Sequence, residues 1–475
     1  MTANDVAPMT APAQMSALAA WSGGIQPAGS AVVAGSWLVA AAAATLAALT
    51  AVAALLQLKS PVAGLTLLLV AGVLVPMEIP LGGGVLNLCL PLAVFICGCF
   101  VLGLFRRRGR IALDRSRVVT ATLAFVAVAV VSFVIGQYPW FPIGHAPMTA
   151  QLGGLLLFLL SGGLFLVVGH QVTASRQLRR LTWVFVATGA FAVVSSMVSV
   201  FEVSVGPIAV TNASSIGSAF WTWLVAISLG QALFNRALPV PARATLAAVA
   251  ALALARGVLV AFSWASGWLP PLVAASVLLL YRFPRLTVAA GLLALAPALA
   301  YAGPAVQLWM AGEAYSSATR LEALRVMWQI IQHNPWLGFG PANYHHYTQL
   351  YPILGWWVPF NSHNNYVDLV AQTGVIGLLV FGWVVVEVLW LALALLHRVP
   401  RGGFEQAYAM GAVAGLAGSL VSGLLADWIV PFTYNIGVRG FRSSLLFWFF
   451  LGGVLALKRI ASNAATDPEV AVRAR

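Results

Sequence analysis

The sequence predicts an all-α fold, a polytopic membrane helix bundle of about 12–13 spans with one large, partly helical outer loop. Three observations predict it. Of the 475 residues, 61% are hydrophobic and only 8% charged, too little polar surface to cover a soluble protein of this size. Apolar runs of roughly 17–25 residues recur along almost the whole chain, each long enough to cross ~30 Å of hydrocarbon as a helix. The runs do not alternate polar and apolar residues, which argues against strands and a barrel.

Residues 1–30 are rich in Ala, Pro, Ser and Gly and are expected to form a disordered tail. The first 58 residues contain no Lys or Arg, so the basic segment of a cleavable signal peptide is missing. An N-terminal bundle, 31–303, follows, with spans read at 31–57, 62–77, 85–105, 118–136, 152–169, 181–203, 215–235, 240–262, 265–281 and 286–303. After the loop at 304–365, C-terminal helices occupy 366–457, with spans at 366–396, 406–426 and 443–457. A cytoplasmic tail, 458–475, closes the chain. No internal repeat is visible. Cys89, Cys97 and Cys99 share one apolar run and read as buried thiols, not as a disulfide or metal set.

The net charge of +13 is explained by topology and does not require nucleic acid. Basic clusters ("RRRGR" at 106–110, "SRQLRR" at 175–180, "RALPVPAR" at 236–243, "YRFPR" at 281–285, "HRVPR" at 397–401 and "KR" at 458–459) recur after every second span. They mark the cytoplasmic side and sit beside anionic headgroups. The same parity puts the N-terminus outside.

The connection 304–365 is far longer than any other outer loop, and long loops of a bundle tend to carry function. Within it Ser316, Ser317 or Thr319 is positioned to cap a helix running to about Gln332. His333-Asn334-Pro335 stops that helix and Gly338-Phe339-Gly340-Pro341 makes a turn. On a helical wheel Leu321, Leu324, Met327, Trp328 and Ile331 share one arc, opposite Glu322, Arg325, Gln329 and Gln332. Arg320 falls inside the apolar arc. Either it snorkels to water, or it points into a pocket under the loop and binds an anion; the helix dipole disfavours a cation in the first turn.

Arg320, Arg325, Arg439 and Arg442 lie outside or at the outer lip, where Lys and Arg should be scarce. Arg256 lies within an apolar run, where a charge is expensive. Guanidinium groups with so few acidic partners suit a phosphate-bearing substrate. The stretch "FNSHNNYVDLVAQTGVIG", 360–377, begins a span with four polar residues. With Ser362 as cap, His363, Asn364 and Asn365 occupy a first turn whose free N–H groups favour an anion. The dipole there favours a neutral imidazole at His363, able to take a proton from a hydroxyl. Asn364, Asn365 and Tyr366 are placed to orient a sugar or that imidazole. Only 12 acidic residues are present and none pair with metal-ligand spacing, so no metal site is expected.

"TRLEALRVMWQIIQHNPWLGFGPANY" followed by "SHNNYVDLVAQTGVIG" resembles the O-antigen ligase family of bacterial inner membranes. The shared pattern is an Arg opening a loop helix, Pro-x-x-Gly-x-Gly about fifteen residues on, and His-Asn heading the next span, over residues 319–377. Family members often carry an aromatic where this chain has Leu324, and usually about twelve spans. The resemblance implies a GT-C-like, metal-independent, inverting glycosyltransferase without a cofactor, working on the periplasmic side of a Gram-negative inner membrane. It would move O-antigen from undecaprenyl diphosphate to lipid A-core. His363 would be the base, with Arg320 and the other outer arginines stabilising the leaving diphosphate. Its partners would be that donor, that acceptor and membrane lipids, with no nucleic acid. An O-antigen polymerase or a protein O-oligosaccharyltransferase would use the same donor. A transporter or flippase of a lipid-linked sugar is the rival of another class, but the two related halves expected of it are not evident.

Overall fold

The computed structural model describes residue 55 and residues 60–75, 78–81, 84–106, 113–198, 203–205, 208–211, 217–262, 264–293 and 319–466. The expected tail 1–30 and most of the first span, 31–57, lie outside the described residues, as do 294–318 and the end of the C-terminal tail.

The chain is an all-α membrane bundle. Its helices are α1 (Pro61–Leu74), α2 (Cys89–Arg106), α3 (Arg117–Ile135), α4 (Met148–Gln171), α5 (Ser175–Val198), α6 (Ser218–Phe234), α7 (Val240–Val260) and α8 (Ala265–Arg282), then α9 (Pro284–Leu293). A loop helix, α10, covers residues 319–331. The short α11 (Asn343–Tyr347), then α12 (Asn365–Leu396), α13 (Phe404–Leu425) and α14 (Phe441–Thr466) complete it. Among the described residues seven helices are long and apolar enough to cross a membrane, and α1, α2, α6 and α9 are shorter apolar helices. Two antiparallel hairpins were not expected: Glu78–Leu81 with Gly84–Asn87, and Val203–Val205 with Ile208–Thr211. They lie between spans, where backbone groups that have left a helix need other partners.

α14 is the central post, packed against α4, α6, α12 and α13. Its Trp448 stacks on Phe125 at 5.6 Å and its Phe450 on Trp223 at 5.1 Å. The Trp448 indole N–H, which must find an acceptor when buried, donates to Ile429 O at 3.0 Å. The basic clusters among the described residues gather at one end of the bundle. There Lys458 pairs with Asp114 at 2.6 Å, Arg459 donates to Gly169 O and His170 O, and Arg179 pairs with Glu405. The opposite end carries α10, α11 and the loop 426–437 between α13 and α14.

α12 is broken at Gly374, where φ is 69° and ψ −178°. In an unbroken helix Val375 and Ile376 would donate to Ala371 and Gln372. Instead Phe339 N donates to Ala371 O and Gly340 N to Gln372 O, both at 2.9 Å. Val375 N donates to Pro335 O at 2.7 Å and Ile376 N to Trp336 O at 3.3 Å. The turn 335–340 thus fills the gap, satisfying both faces of the break. Only a residue without Cβ fits: a methyl group on Gly374 would stand 2.0 Å from Trp336 O, and one on Gly338 (φ 65°) 2.7 Å from Ala371 O. Asn343 ties the turn to the α3–α4 connection, donating to Phe339 O and Gly136 O and accepting from Ala146 N.

Gly374→Ala is predicted to cost roughly 1–3 kcal/mol from the backbone alone, more with the collision, and to lower the thermal midpoint of the detergent-solubilised protein. Gly382→Ala, in the same helix with nothing near its Cβ position, is the control and should leave it unchanged or raise it. Equal effects would contradict the docked-turn reading.

Candidate active site

The loop helix seats the site. Thr319, Ala323, Val326, Met327, Ile330 and Ile331 are buried, packing towards Phe141, Phe339, Tyr347 and Phe360. Leu321 and Trp328 are 71% and 64% exposed and Leu324 also faces outward, so of the expected apolar arc only Met327 and Ile331 are buried. The wheel weighed hydropathy alone, whereas the small Thr319 and Ala323 allow the helix to lie close against its neighbours. Arg320 begins this helix beside the buried edge, with its side chain exposed. The cap candidates Ser316 and Ser317 lie outside the described residues.

The turn before α12 differs from the expectation in one respect. The N-cap is Asn364, not Ser362: Asn364 Oδ1 accepts from Tyr366 N at 3.0 Å and Val367 N at 3.3 Å. His363 therefore stands outside the helix, in a left-handed conformation with φ 50°, uncommon for a residue with a side chain. Ser362 holds the bend, its Oγ donating to Asp368 Oδ1 at 2.6 Å and accepting from Asn364 N at 3.1 Å. Asp368 Oδ1 also accepts the Tyr344 hydroxyl, and Tyr344 stacks on Phe432 at 4.5 Å. Burial chiefly, and the Asp368 carboxylate beside it, push the Tyr344 hydroxyl well above its ordinary pKa, so it stays a donor.

The polar residues expected to orient a sugar are committed to the backbone. Asn365 bridges the loop 426–437, accepting from Ile429 N and Val430 N and donating to Val430 O at 2.9 Å. Tyr366 donates to Leu420 O at 2.6 Å, and Asn364 Nδ2 to Leu424 O at 3.3 Å. They build the turn that presents His363. Asp427 anchors the same loop, accepting from Phe432 N and Asn435 Nδ2. Burial raises its pKa.

His363 is largely buried and is held neutral. Burial first, then the charge of Arg320, lowers its pKa to about 4. Arg320, 43 residues earlier in the sequence, thus lies near enough for its charge to act on the His363 imidazole. His345 is the second neutral imidazole of this end, lowered to about 4 mainly by burial, with Nδ1 2.8 Å from Phe360 O and its ring stacked on Tyr434 at 4.3 Å.

The other arginines separate. Arg256, in the last turns of α7, is buried, its guanidinium 4.6 Å from the Trp221 ring centroid and its Nε without a hydrogen-bond partner among the described residues. It shares the end of the bundle with His363, through Trp221 at the start of α6 and Gly217, which packs on Trp428. Arg325 is exposed and paired with Glu322 at 3.2 Å. Arg442 is buried and donates to Gly72 O at 2.7 Å and Val73 O at 3.3 Å, capping the end of α1. Arg439 is exposed, with Nε 3.2 Å from Ile436 O. Among the described residues no group of three His, Cys, Asp or Glu could hold a metal ion. Asp368 and Asp427 are site residues that the sequence reading does not single out. An acid inside an apolar run was the available signal for Asp368; its partners Tyr344 and Ser362 come from different segments and left none.

A family model described as O-antigen ligase matches residues 241–382. The match includes Arg256, Arg320, Arg325 and His363 through Tyr366; Arg439 and Arg442 lie beyond it. No curated protein matches the chain.

Both histidines are neutral in the fold down to about pH 4, whereas unfolded histidine takes a proton near 6.5. Between these values the unfolded state binds more protons, so their contribution to stability is lost as pH falls from about 6.5 towards 4. The slope is up to about 1.4 kcal/mol per pH unit for each histidine. Asp427 works in the opposite sense, so the readout is a difference. Wild type minus the His345→Gln/His363→Gln variant, followed by thermal unfolding across pH, should shrink on acidification.

Proposed function

We propose, from the premise that this chain is a member of the O-antigen ligase family, that it transfers O-antigen from undecaprenyl diphosphate to lipid A-core. The observation that carries the reading is the juxtaposition of a neutral, left-handed His363 with Arg320 at the end of the bundle away from the basic clusters. That separation supports an active site on the periplasmic side of a bacterial inner membrane.

The acceptor hydroxyl would give its proton to His363 as its oxygen attacks the anomeric carbon. The new glycosidic bond forms as the bond from that carbon to the diphosphate oxygen breaks, with inversion. Because His363 is neutral at any pH above about 4, it starts with an unprotonated ring nitrogen. The arriving diphosphate offsets the Arg320 charge and makes the imidazole a stronger base. Arg320 stabilises the charge that develops on the leaving diphosphate, a role worth several kcal/mol in comparable sites. Arg256, its Nε free of described partners and its face on Trp221, is the second candidate for that diphosphate. Arg325, Arg439 and Arg442 rank behind these two, since Glu322, Ile436 O and the end of α1 already occupy donors of each. No step requires a metal. Asn364, Asn365 and Tyr366 act by fixing the turn.

The test is an in vitro transfer with purified protein, undecaprenyl-diphosphate-linked glycan and lipid A-core, with a chelator present. Product should form under these conditions, and His363→Ala should lower kcat by roughly 10²–10⁴-fold. Arg320→Gln should reduce kcat more than it raises KM. Full activity in His363→Ala would overturn the mechanism. Glycan growth on the donor, with no lipid A-core product, would reassign the chain to polymerisation.

A further inference from the structure

A cavity lies at the end of the bundle opposite His363, one full span away along α12 and α13. It encloses about 610 Å³ and is lined by Leu233, Phe234, Arg236, Ala237, Tyr281, Arg282, Arg401, Gly402 and Gln406. Three connections distant in sequence build it: α6–α7, the end of α8, and α12–α13. Arg236 N and Ala237 N donate to Gly402 O at 2.8 and 3.2 Å, and Gly402 N donates to Gln406 Oε1 at 2.7 Å, so the first and last are locked together. Beneath them Phe234, Leu278, Ala407 and Met410 form a buried apolar floor.

The lining is amphipathic in a specific way. Arg236, Arg282 and Arg401 converge on it, and no described carboxylate pairs with any of them. Glu405, on the first turn of α13, is engaged by Ser175 and Arg179. Arg282 lies 4.8 Å from the Phe283 ring centroid, so this cation sits beside a ring instead of an anion, and next to it Tyr281 packs against Phe234 at 5.7 Å. Leu280 and Tyr281 are 43% and 59% exposed on the outward face of α8, continuing the cavity wall into apolar surface. Charge placed only to set topology has no need of a shared cavity. Three guanidinium groups above an apolar wall match a phosphodiester with acyl chains attached. We propose that this cavity is the headgroup site of an anionic phospholipid, its phosphate held by Arg236, Arg282 and Arg401 and its chains running along α8.

The experiment uses the full chain purified in neutral detergent. Lipid retention by native mass spectrometry and the thermal midpoint are read with phosphatidylglycerol, with phosphatidylethanolamine and with inorganic phosphate. Phosphatidylglycerol alone should be retained and raise the midpoint. Arg236→Gln/Arg282→Gln/Arg401→Gln should weaken its binding roughly 100-fold, and Arg282→Gln alone roughly fivefold, which covers the case of a triple variant that fails to fold. The charge-matched Arg176→Gln/Arg180→Gln/Arg285→Gln, exposed at the same end, should bind as wild type. An equal response to inorganic phosphate would make this a soluble-anion site and overturn the lipid assignment. So would an equal loss in the charge-matched variant, or no retained phosphatidylglycerol.

Discussion

At Gly374, α12 gives up two of its own hydrogen bonds and takes four from the turn 335–340. Unpaired backbone groups this deep in a membrane bundle are expensive, each costing several kcal/mol in hydrocarbon. The exchange therefore fixes where the outer loop sits. Once the turn is seated, α10 is held over the bundle by Pro335, and α11 by Asn343 and Tyr344. The first turns of α12, the Asp368 carboxylate and the bend at His363 all lie within three turns of that seat. A loop without it would be tethered only at its ends.

The second layer of the site is a set of polar groups with no freedom left. Asp368 takes Ser362 and Tyr344; Asn365 takes the backbone of Ile429 and Val430; Asn364 caps its own helix. Satisfied networks of this kind rigidify what they surround. What they surround here is an imidazole in an unfavourable backbone conformation, partly withdrawn from water and beside a cation. Both conditions disfavour protonation. A site that must accept a proton while tolerating an anion nearby benefits from that starting point.

Much of the bundle was legible in the sequence, because length and hydropathy of a span are set by bilayer thickness. The outer loop, its helix, the Gly-x-Gly turn and the prominence of Arg320 and His363 were legible for the same local reasons. Four things were not. The face of α10 that packs depends on partners, so Leu321 and Trp328 misled and Ala323 did not register. The cap at Asn364 and the left-handed His363 depend on Ser362 reaching Asp368, a contact across a turn that periodicity does not encode. The division of labour among arginines depends on long-range neighbours: Arg442 and Arg256 both read as phosphate ligands in the sequence, yet Arg442 caps α1 while Arg256 lies over Trp221, its Nε without a partner among the described residues. The hairpins after α1 and α5 were missed because each strand has only three or four residues.

The most direct test of the central claim is the titration of the His363 imidazole itself, by NMR of the histidine-labelled full chain in detergent, in wild type and in Arg320→Gln. The account predicts a pKa well below 6.5 in wild type, rising part of the way back when the Arg320 charge is removed. A wild-type value at or above 6.5, or one indifferent to Arg320, would contradict it.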